Sequence, residues 1–298
     1  MEKGTLVGGI EAGGTKFICL VADDSDHISS QVRIPTKSPT ETLDEVIHFF
    51  EPFVASDQIH AIGIGSFGPL DLDPASPTYG YISATPKPGW SNTDIRGIIE
   101  RALHVMVAID TDVNAAALGE FTWGASRGVD PSLYLTVGTG IGGGCVINGR
   151  PHLGLINPEM GHLRIQHDLN LDSYPGNCPF HGDCFEGLAS GHAIRGRFGV
   201  GAETLPDEHP FWELESSYIA TALVNLILTL SPKKIILGGG VMRRAFLFAR
   251  IRRKVQDLLH GYVSHSYILS DIENYIVPPA LGHLSGSLGA VALAQMLK

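Results

Sequence analysis

Only four cysteines occur in 298 residues, and two of them, Cys19 and Cys145, lie singly in apolar runs far from the other pair. That pattern does not resemble a secreted disulfide framework, so a cytoplasmic protein is the expectation. Charge is scarce and unbalanced: 17 % of residues are charged, 21 of them Lys or Arg against 31 Asp or Glu, for a formal net charge of −10. Without clustered cations to meet phosphates, this balance argues against nucleic acid as a main partner. The one basic run, Arg243-Arg244 through Arg252-Arg253-Lys254, is spread along a segment with apolar residues at helical spacing (Phe246, Leu247, Ile251, Val255, Leu258, Leu259). It reads as a solvated helix face. Long apolar runs are also missing. Tyr218 to Leu230 is broken by Thr221, Asn225 and Thr229, and MEKGTLVGGIEAGG lacks the apolar core of a signal peptide, so no membrane segment is expected.

Apolar residues make up 44 % of the chain, enough for a substantial core and, at this length, for two domains. Glycine is concentrated in three clusters: Gly8-Gly9 with Gly13-Gly14, Gly138 to Gly144, and Gly238-Gly239-Gly240. The first two share a pattern in which an apolar strand enters a Gly/Thr turn and a second apolar strand leaves it, LVGGIEAGGTKFICLV at 6–21 and LYLTVGTGIGGGCVI at 133–147. Between them the periodicity predicts a strand at Ile28–Ile34, a helix from Thr40, a strand at 59–64, a helix at 92–103, a strand at Val105–Ile109 and a helix from Asp112. The second half predicts helices at 185–198, 213–230, 242–260 and 285–296, with strands at 234–237 and 275–277. Two related α/β domains with a cleft between them follow. Their boundaries are expected at 1–118, joined by the C-terminal helix 285–298, and at 119–284.

GTGIGG has the spacing of a dinucleotide fingerprint, but the strand-like Cys145-Val146-Ile147 follows it where a helix is required. GGTK likewise leads into a strand, which excludes an ordinary P-loop. What remains are hairpins whose turns, nearly bare of side chains, let backbone N–H groups approach an anion, with Thr15, Lys16 and Thr139 as extra donors. The third cluster has the opposite context: in IILGGGVM a buried strand precedes the glycines, so the loop suits a nucleotide at a helix N-terminus. Asp112, between a strand and a helix, is either a plain N-cap or a carboxylate projecting from an element end, and Asp110 competes with it. Cys178-x-x-His181-x-x-Cys184 supplies three ligands of a closed tetrahedral zinc site, with His162 and His167 both available as the fourth; a Cys178–Cys184 disulfide is the alternative.

Six segments in order, EAGGTK (11–16), TDVNAAALGE (111–120), VGTGIGGG (137–144), PEMGH (158–162), CPFHGDCFEGLASG (178–191) and ILGGGV (236–241), resemble the ROK family of sugar kinases and, within it, the fructokinase branch. The resemblance implies two ribonuclease-H-like (actin-like ATPase) domains flanking a cleft, with a zinc-binding insertion at 157–187. It implies ATP-dependent phosphorylation of a hexose, D-fructose to D-fructose 6-phosphate, with Asp112 as general base. ATP and its phosphates would meet Glu11, Gly13, Gly14, Thr15 and Lys16 of the first hairpin, Thr139, Gly140 and Gly142 of the second, and Gly238, Gly239 and Gly240. Glu11 would act on Mg²⁺ through bound water. Sugar contacts would come from Gly68, Thr111, Asp112, Glu159, His162 and Glu186, and structural Zn²⁺ would be held by His162, Cys178, His181 and Cys184. A homodimer is implied too. The helix-turn-helix of ROK repressors is not expected, since the first hairpin motif lies within ten residues of the start. Mannose or glucose as main substrate, a sugar sensor without turnover, and a zinc hydrolase are the competing readings.

Overall fold

The computed structural model describes residues 5–297. The first stretch runs β1 (Val7–Ala12), β2 (Lys16–Ala22), β3 (Ile28–Pro35), α1 (Pro39–Ala55), β4 (Ala61–Ser66), α2 (Ile95–Leu103), β5 (Met106–Thr111) and α3 (Asp112–Thr122). Then follow β6 (Ser132–Val137), β7 (Ile141–Ile147), β8 (Arg150–Pro151), α4 (Phe185–Ala189), α5 (Gly191–Phe198) and α6 (Phe211–Leu230). The chain ends with β9 (Lys234–Gly238), α7 (Phe246–Leu259), α8 (Ser266–Leu269), α9 (Ile272–Tyr275), β10 (Ile276–Val277) and α10 (Ser285–Gln295). Two compact units interleave along the chain. The first holds the residues up to Gly128, Gly144–Asn157 and those from Ala280 on; the second holds Val129–Gly143 and Pro158–Pro279.

The fold is α/β with two mixed sheets. In the first, ordered β3-β2-β1-β4-β5, β1 pairs antiparallel with β2 and parallel with β4, and β4 pairs parallel with β5. The residues explain the order: β2 and β4 are apolar and buried along nearly their whole length, as strands covered on both faces must be, whereas the edge strand β3 alternates between half-buried and exposed. Helix α1 starts where Ser38 and Glu41 form a capping box ahead of Pro39, and it buries Leu43, Val46 and Phe50. Helix α10 is built of small residues and lies very close to the sheet. A Cβ on Gly63 would stand 1.9 Å from the Ala290 carbonyl oxygen, and one on Gly289 would stand 1.7 Å from that of Ala115. Only glycine fits at either point, so α10 can touch both β4 and α3.

The second sheet is ordered β10-β9-β6-β7-β8, with β10, β9 and β6 parallel and β7 antiparallel to β8. Strand β9 buries Ile235, Ile236 and Leu237 completely. Two expectations change here. The single helix expected at 185–198 is two, because Ser190 ends α4 in an extended conformation and its side chain caps α5 by accepting the Ala193 N–H. The helix expected from 242 begins at Phe246, after a short 3₁₀ turn at Val241–Arg243. Among the described residues no helix is long and apolar enough to cross a membrane.

Candidate active site

In the first unit the sheet register brings two predicted positions into one row with Gly65: Glu11 of β1 lies opposite Gly65 of β4, and Gly65 lies opposite Asp110 of β5. This row is at the carboxyl ends of the parallel strands, where α/β folds place ligands. Helix α3 starts one step beyond. Thr111, not Asp112, is its N-cap, with Oγ1 accepting the Asn114 N–H at 3.2 Å. Asp112 is therefore the first helical residue, its Oδ1 accepting the Val113 N–H at 2.9 Å. Gly65 makes this possible, since a Cβ there would come within 2.5 Å of the Ala115 methyl and 3.5 Å of the Asp112 Cα.

Burial and the nearby Asp112 charge push the Glu11 carboxyl up to about 7, against the pull of Lys16 and a backbone hydrogen bond at Ser287. Its Oε2 is buried with no hydrogen-bond partner among the described residues. Such an atom suits a hydrated cation. Burial raises Asp110 to about 6 although its Oδ1 accepts from the Thr111 N–H at 2.7 Å and from Asn114 Nδ2 at 2.8 Å. In the hairpin turn, Gly13 donates its N–H to the Lys16 carbonyl at 3.0 Å, and Lys87 Nζ and Thr36 Oγ1 donate to the Gly14 and Gly13 carbonyls. The Thr36 N–H also meets the Thr15 carbonyl. A Cβ on Gly14 would meet nothing within 4 Å. Gly68 follows β4 by two residues.

In the second unit, the second and third glycine clusters come together around one cavity of about 830 Å³. Gly138 and Thr139 form one side, Gly191, His192 and Arg195 of α5 another, Gly201, Ala202 and Glu203 a third, and Gly240, Val241, Arg243 and Arg244 the last. Gly239 adopts φ +93°, and a Cβ on it would sit 2.4 Å from the Val137 carbonyl oxygen, so the turn leaving β9 requires glycine. Gly238 packs against the Tyr134 hydroxyl, while Gly140 faces Glu186. Gly142 lies on β7. The Glu186 Oε2 accepts the Ile141 N–H at 2.8 Å. Glu159 and Glu186 are close enough that the Glu186 charge adds to desolvation in raising the Glu159 carboxyl, with His162 opposing.

The Cys/His segment folds as its spacing suggests. Cys178 and Gly182 exchange both backbone hydrogen bonds, closing a tight loop; Gly176, two residues before it, and Gly182 take positive φ. One ligand atom from each of His162, Cys178, His181 and Cys184 lies within 4.8 Å of all the others. Nδ1 of His162 is 3.6 Å from the Cys178 sulfur and 3.5 Å from the Cys184 sulfur, and Nδ1 of His181 is 3.6 Å from the Cys178 sulfur. Both thiols are free, so the disulfide alternative does not describe this fold. His167 has other partners: Asp183 at 3.3 Å and the Asp172 carbonyl at 2.9 Å.

A profile of the ROK family matches residues 7–296. The chain belongs to the ROK family. Among relatives of this ROK chain, a Bacillus subtilis protein provisionally named a fructokinase is 50 % identical over 290 residues, 97 % of this chain and 95 % of that one. The fructokinase of Zymomonas mobilis is 44 % identical over 97 % of this chain and 96 % of its own. The crystal structure of a ROK hexokinase from Thermus thermophilus superposes with a TM-score of 0.79 at 28 % identity, covering 98 % of each chain.

The sequence also carries ROK-chain residues whose work only the structure shows. Glu120, at the end of the motif that opens with Thr111, is fully buried. Its carboxylate accepts the N–H groups of Ala125 (2.7 Å), Ala280 (3.1 Å) and Leu281 (3.0 Å) and the Ser285 hydroxyl (2.7 Å). The expected solvated basic face holds at Arg243 and Arg253, which are exposed, and is corrected at their neighbours. Arg252 donates to the Ile276 and Glu273 carbonyls, Lys254 pairs with Glu213, and Arg244 turns inward to the cavity wall. Periodicity shows where a helix faces solvent, but a long cationic side chain can fold back to orphan carbonyls.

Proposed function

We propose that the chain transfers the γ-phosphoryl group of ATP to a hexose, with D-fructose giving D-fructose 6-phosphate. The observation that carries this reading is identity of 44–50 % with fructokinases over nearly the full length of both partners. In the reaction the sugar hydroxyl loses its proton to Asp112 as its oxygen bonds to the γ-phosphorus, and the bond to the β-phosphate oxygen breaks to release ADP. Asp112 suits this role because Thr111 is the N-cap, which places the Asp112 carboxylate at the first position of α3, just beyond the row formed by Glu11, Gly65 and Asp110.

The phosphates are assigned to the backbone of the first hairpin turn (Gly13, Gly14, Thr15, with Lys16), to Thr139, Gly140 and Gly142, and to Gly238–Gly240. The nucleotide is assigned to the 830 Å³ cavity, whose size suits such a ligand. Mg²⁺ would be held through water by Glu11, whose orphaned Oε2 offers the acceptor, and would neutralise charge on the transferring phosphate. The hexose is assigned, as the family resemblance implies, to Gly68, Thr111, Asp112, Glu159, His162 and Glu186.

His162, Cys178, His181 and Cys184 fit zinc. Bonds of about 2.3 Å to sulfur and 2.0–2.1 Å to nitrogen at tetrahedral angles separate S from N by about 3.6 Å. The three separations here are 3.5–3.6 Å. Four protein ligands leave no open position for water, so zinc would brace the segment holding Glu159 and Glu186 and would not activate a nucleophile. That weighs against a zinc hydrolase.

A coupled assay of ADP release with fructose, mannose and glucose tests the reading. The expected result is turnover greatest with fructose and dependent on Mg²⁺. A larger kcat/KM for glucose or mannose would overturn the substrate, and hexose binding without ADP release would point to the sensor.

A further inference from the structure

Arg244 sits between two walls of the cavity. Its backbone ends the 3₁₀ turn that follows Gly240, and its side chain reaches across to the 201–207 segment. There Nη2 donates to the Ala202 carbonyl at 2.6 Å and to the Leu205 carbonyl at 2.5 Å, Nε donates to Ala202 at 3.2 Å, and Nη1 pairs with Asp207. The guanidinium also lies over the ring of the buried Trp212, 4.6 Å from a ring centroid. Trp212 in turn donates Nε1–H to the Pro206 carbonyl at 2.7 Å. The Arg244 side chain is only 16 % exposed.

The wall it grips has little support of its own. Residues 201–207 belong to no strand, and their regular structure is one 3₁₀ turn at Ala202–Thr204. A planar fork can serve two carbonyls and a carboxylate while stacking on an indole; an ammonium group cannot do all of these from one position. The same arginine also lines the cavity between Gly240 and Ala202.

Resting on the reading of this cavity as the nucleotide pocket, we propose that Arg244 is a positioning residue that sets the pocket's width by latching the 201–207 wall to the glycine turn. None of the residues assigned to phosphate lies in the 201–207 wall, so the wall is left to meet the nucleoside. Loss of the latch then weakens ATP binding without touching the hexose or the transfer step.

Steady-state kinetics on the full chain test this, with ATP and fructose varied separately. R244M and R244K are both expected to raise the ATP KM about tenfold, the equivalent of 1.4 kcal/mol, with kcat and the fructose KM within about twofold of wild type. If R244K restores the wild-type ATP KM, charge and not the fork matters, and the proposal is overturned; an unchanged ATP KM in both variants overturns it as well. Should the arginine variants not fold, D207N combined with W212F removes the exposed partner and the indole donor while keeping a ring. An unchanged ATP KM in that double variant also overturns it. G240L separates the two inferences, because a Cβ on Gly240 meets nothing within 4 Å and a larger side chain projects into open space. If G240L leaves the ATP KM alone, the cavity is not the nucleotide's. If G240L raises it while the Arg244 variants do not, only the latch is wrong.

Discussion

Glu186 on α4 accepts the backbone N–H of Ile141, the first residue of β7, at 2.8 Å through Oε2. A carboxylate assigned to the sugar therefore also fixes the turn assigned to phosphate. Both parts of that double role can be measured. E186A is expected to raise the fructose KM about tenfold or more and the ATP KM several-fold, since the buried donor of Ile141 is left unpaired. E186Q keeps an acceptor oxygen for Ile141, so the ATP KM should return near wild type while the fructose KM stays raised. Should E186A move the fructose KM alone, the hydrogen bond does not carry the coupling.

D112N tests the base. The amide retains an oxygen to accept the Val113 N–H, so thermal stability should be nearly unchanged. Turnover should fall roughly 10²- to 10⁴-fold, the usual contribution of a positioned base. Turnover within about tenfold of wild type would hand the role to another group, and D110N made in parallel would show whether Asp110 is that group.

Asp110 itself gives a pH signature. Burial is the largest influence on it and lifts its pKa from 3.8 to about 6, so between those values the folded state binds more protons than the unfolded state. Its contribution to stability is thus fully present below about pH 3.8 and is lost as pH rises through 6. The hydrogen bonds from the Thr111 N–H and from Asn114 Nδ2 both land on Oδ1, which an asparagine can reproduce. The stability of D110N minus that of wild type should therefore climb from pH 4 to pH 6 and level off above. Chemical denaturation at a series of pH values measures it, and a flat difference would show that Asp110 titrates normally.

Glu120 yields the largest predicted loss of stability. E120Q would turn an amide NH₂ toward backbone N–H groups that now share a carboxylate, leaving buried donors unmatched at a cost of about 3 kcal/mol. S285A, which removes a single donor from the same carboxylate, should cost only about 1 kcal/mol. Urea titrations of the two variants check the ordering, and equal losses would mean that the packing of α10 against α3, not the carboxylate, dominates.

Parts of the fold and of the site are legible in the sequence. The paired strands around each glycine turn were readable because a period of two changes abruptly at residues without side chains. The cluster of possible ligands at 162, 178, 181 and 184 is nearly readable too, since metal chemistry restricts residue type and the turn glycines restrict the path; choosing His162 over His167 needs either a family resemblance or coordinates. Ser190 hid in a helical pattern because a serine that caps looks the same in sequence as one that faces solvent. Glu120 and Arg244 left no periodic signal at all. Their partners are backbone groups as far away as Leu281 and Ala202, and no local pattern encodes which carbonyl or N–H group a long side chain will reach.

Metal removal is the remaining test, and it bears on how recognition is built. Glu159 stands three residues before His162, whose N–H bonds back to the Glu159 carbonyl at 3.0 Å, and Glu186 stands two residues after Cys184. The proposed ligands and the residues assigned to the sugar thus share short pieces of chain, and the Phe185 N–H ties the two pieces together at the Leu163 carbonyl. Stripping metal with a chelator should lower the melting temperature and raise the fructose Kd in the same titration, with the midpoints of both changes falling at one chelator concentration. Added Zn²⁺ should restore both, and C178S should mimic the stripped protein without responding to zinc. The ATP KM should change less, because the 830 Å³ cavity is lined by none of the four ligands. Stripped protein that binds fructose with wild-type affinity would show that the segment holds its shape unaided, and the cluster would then have no part in recognition.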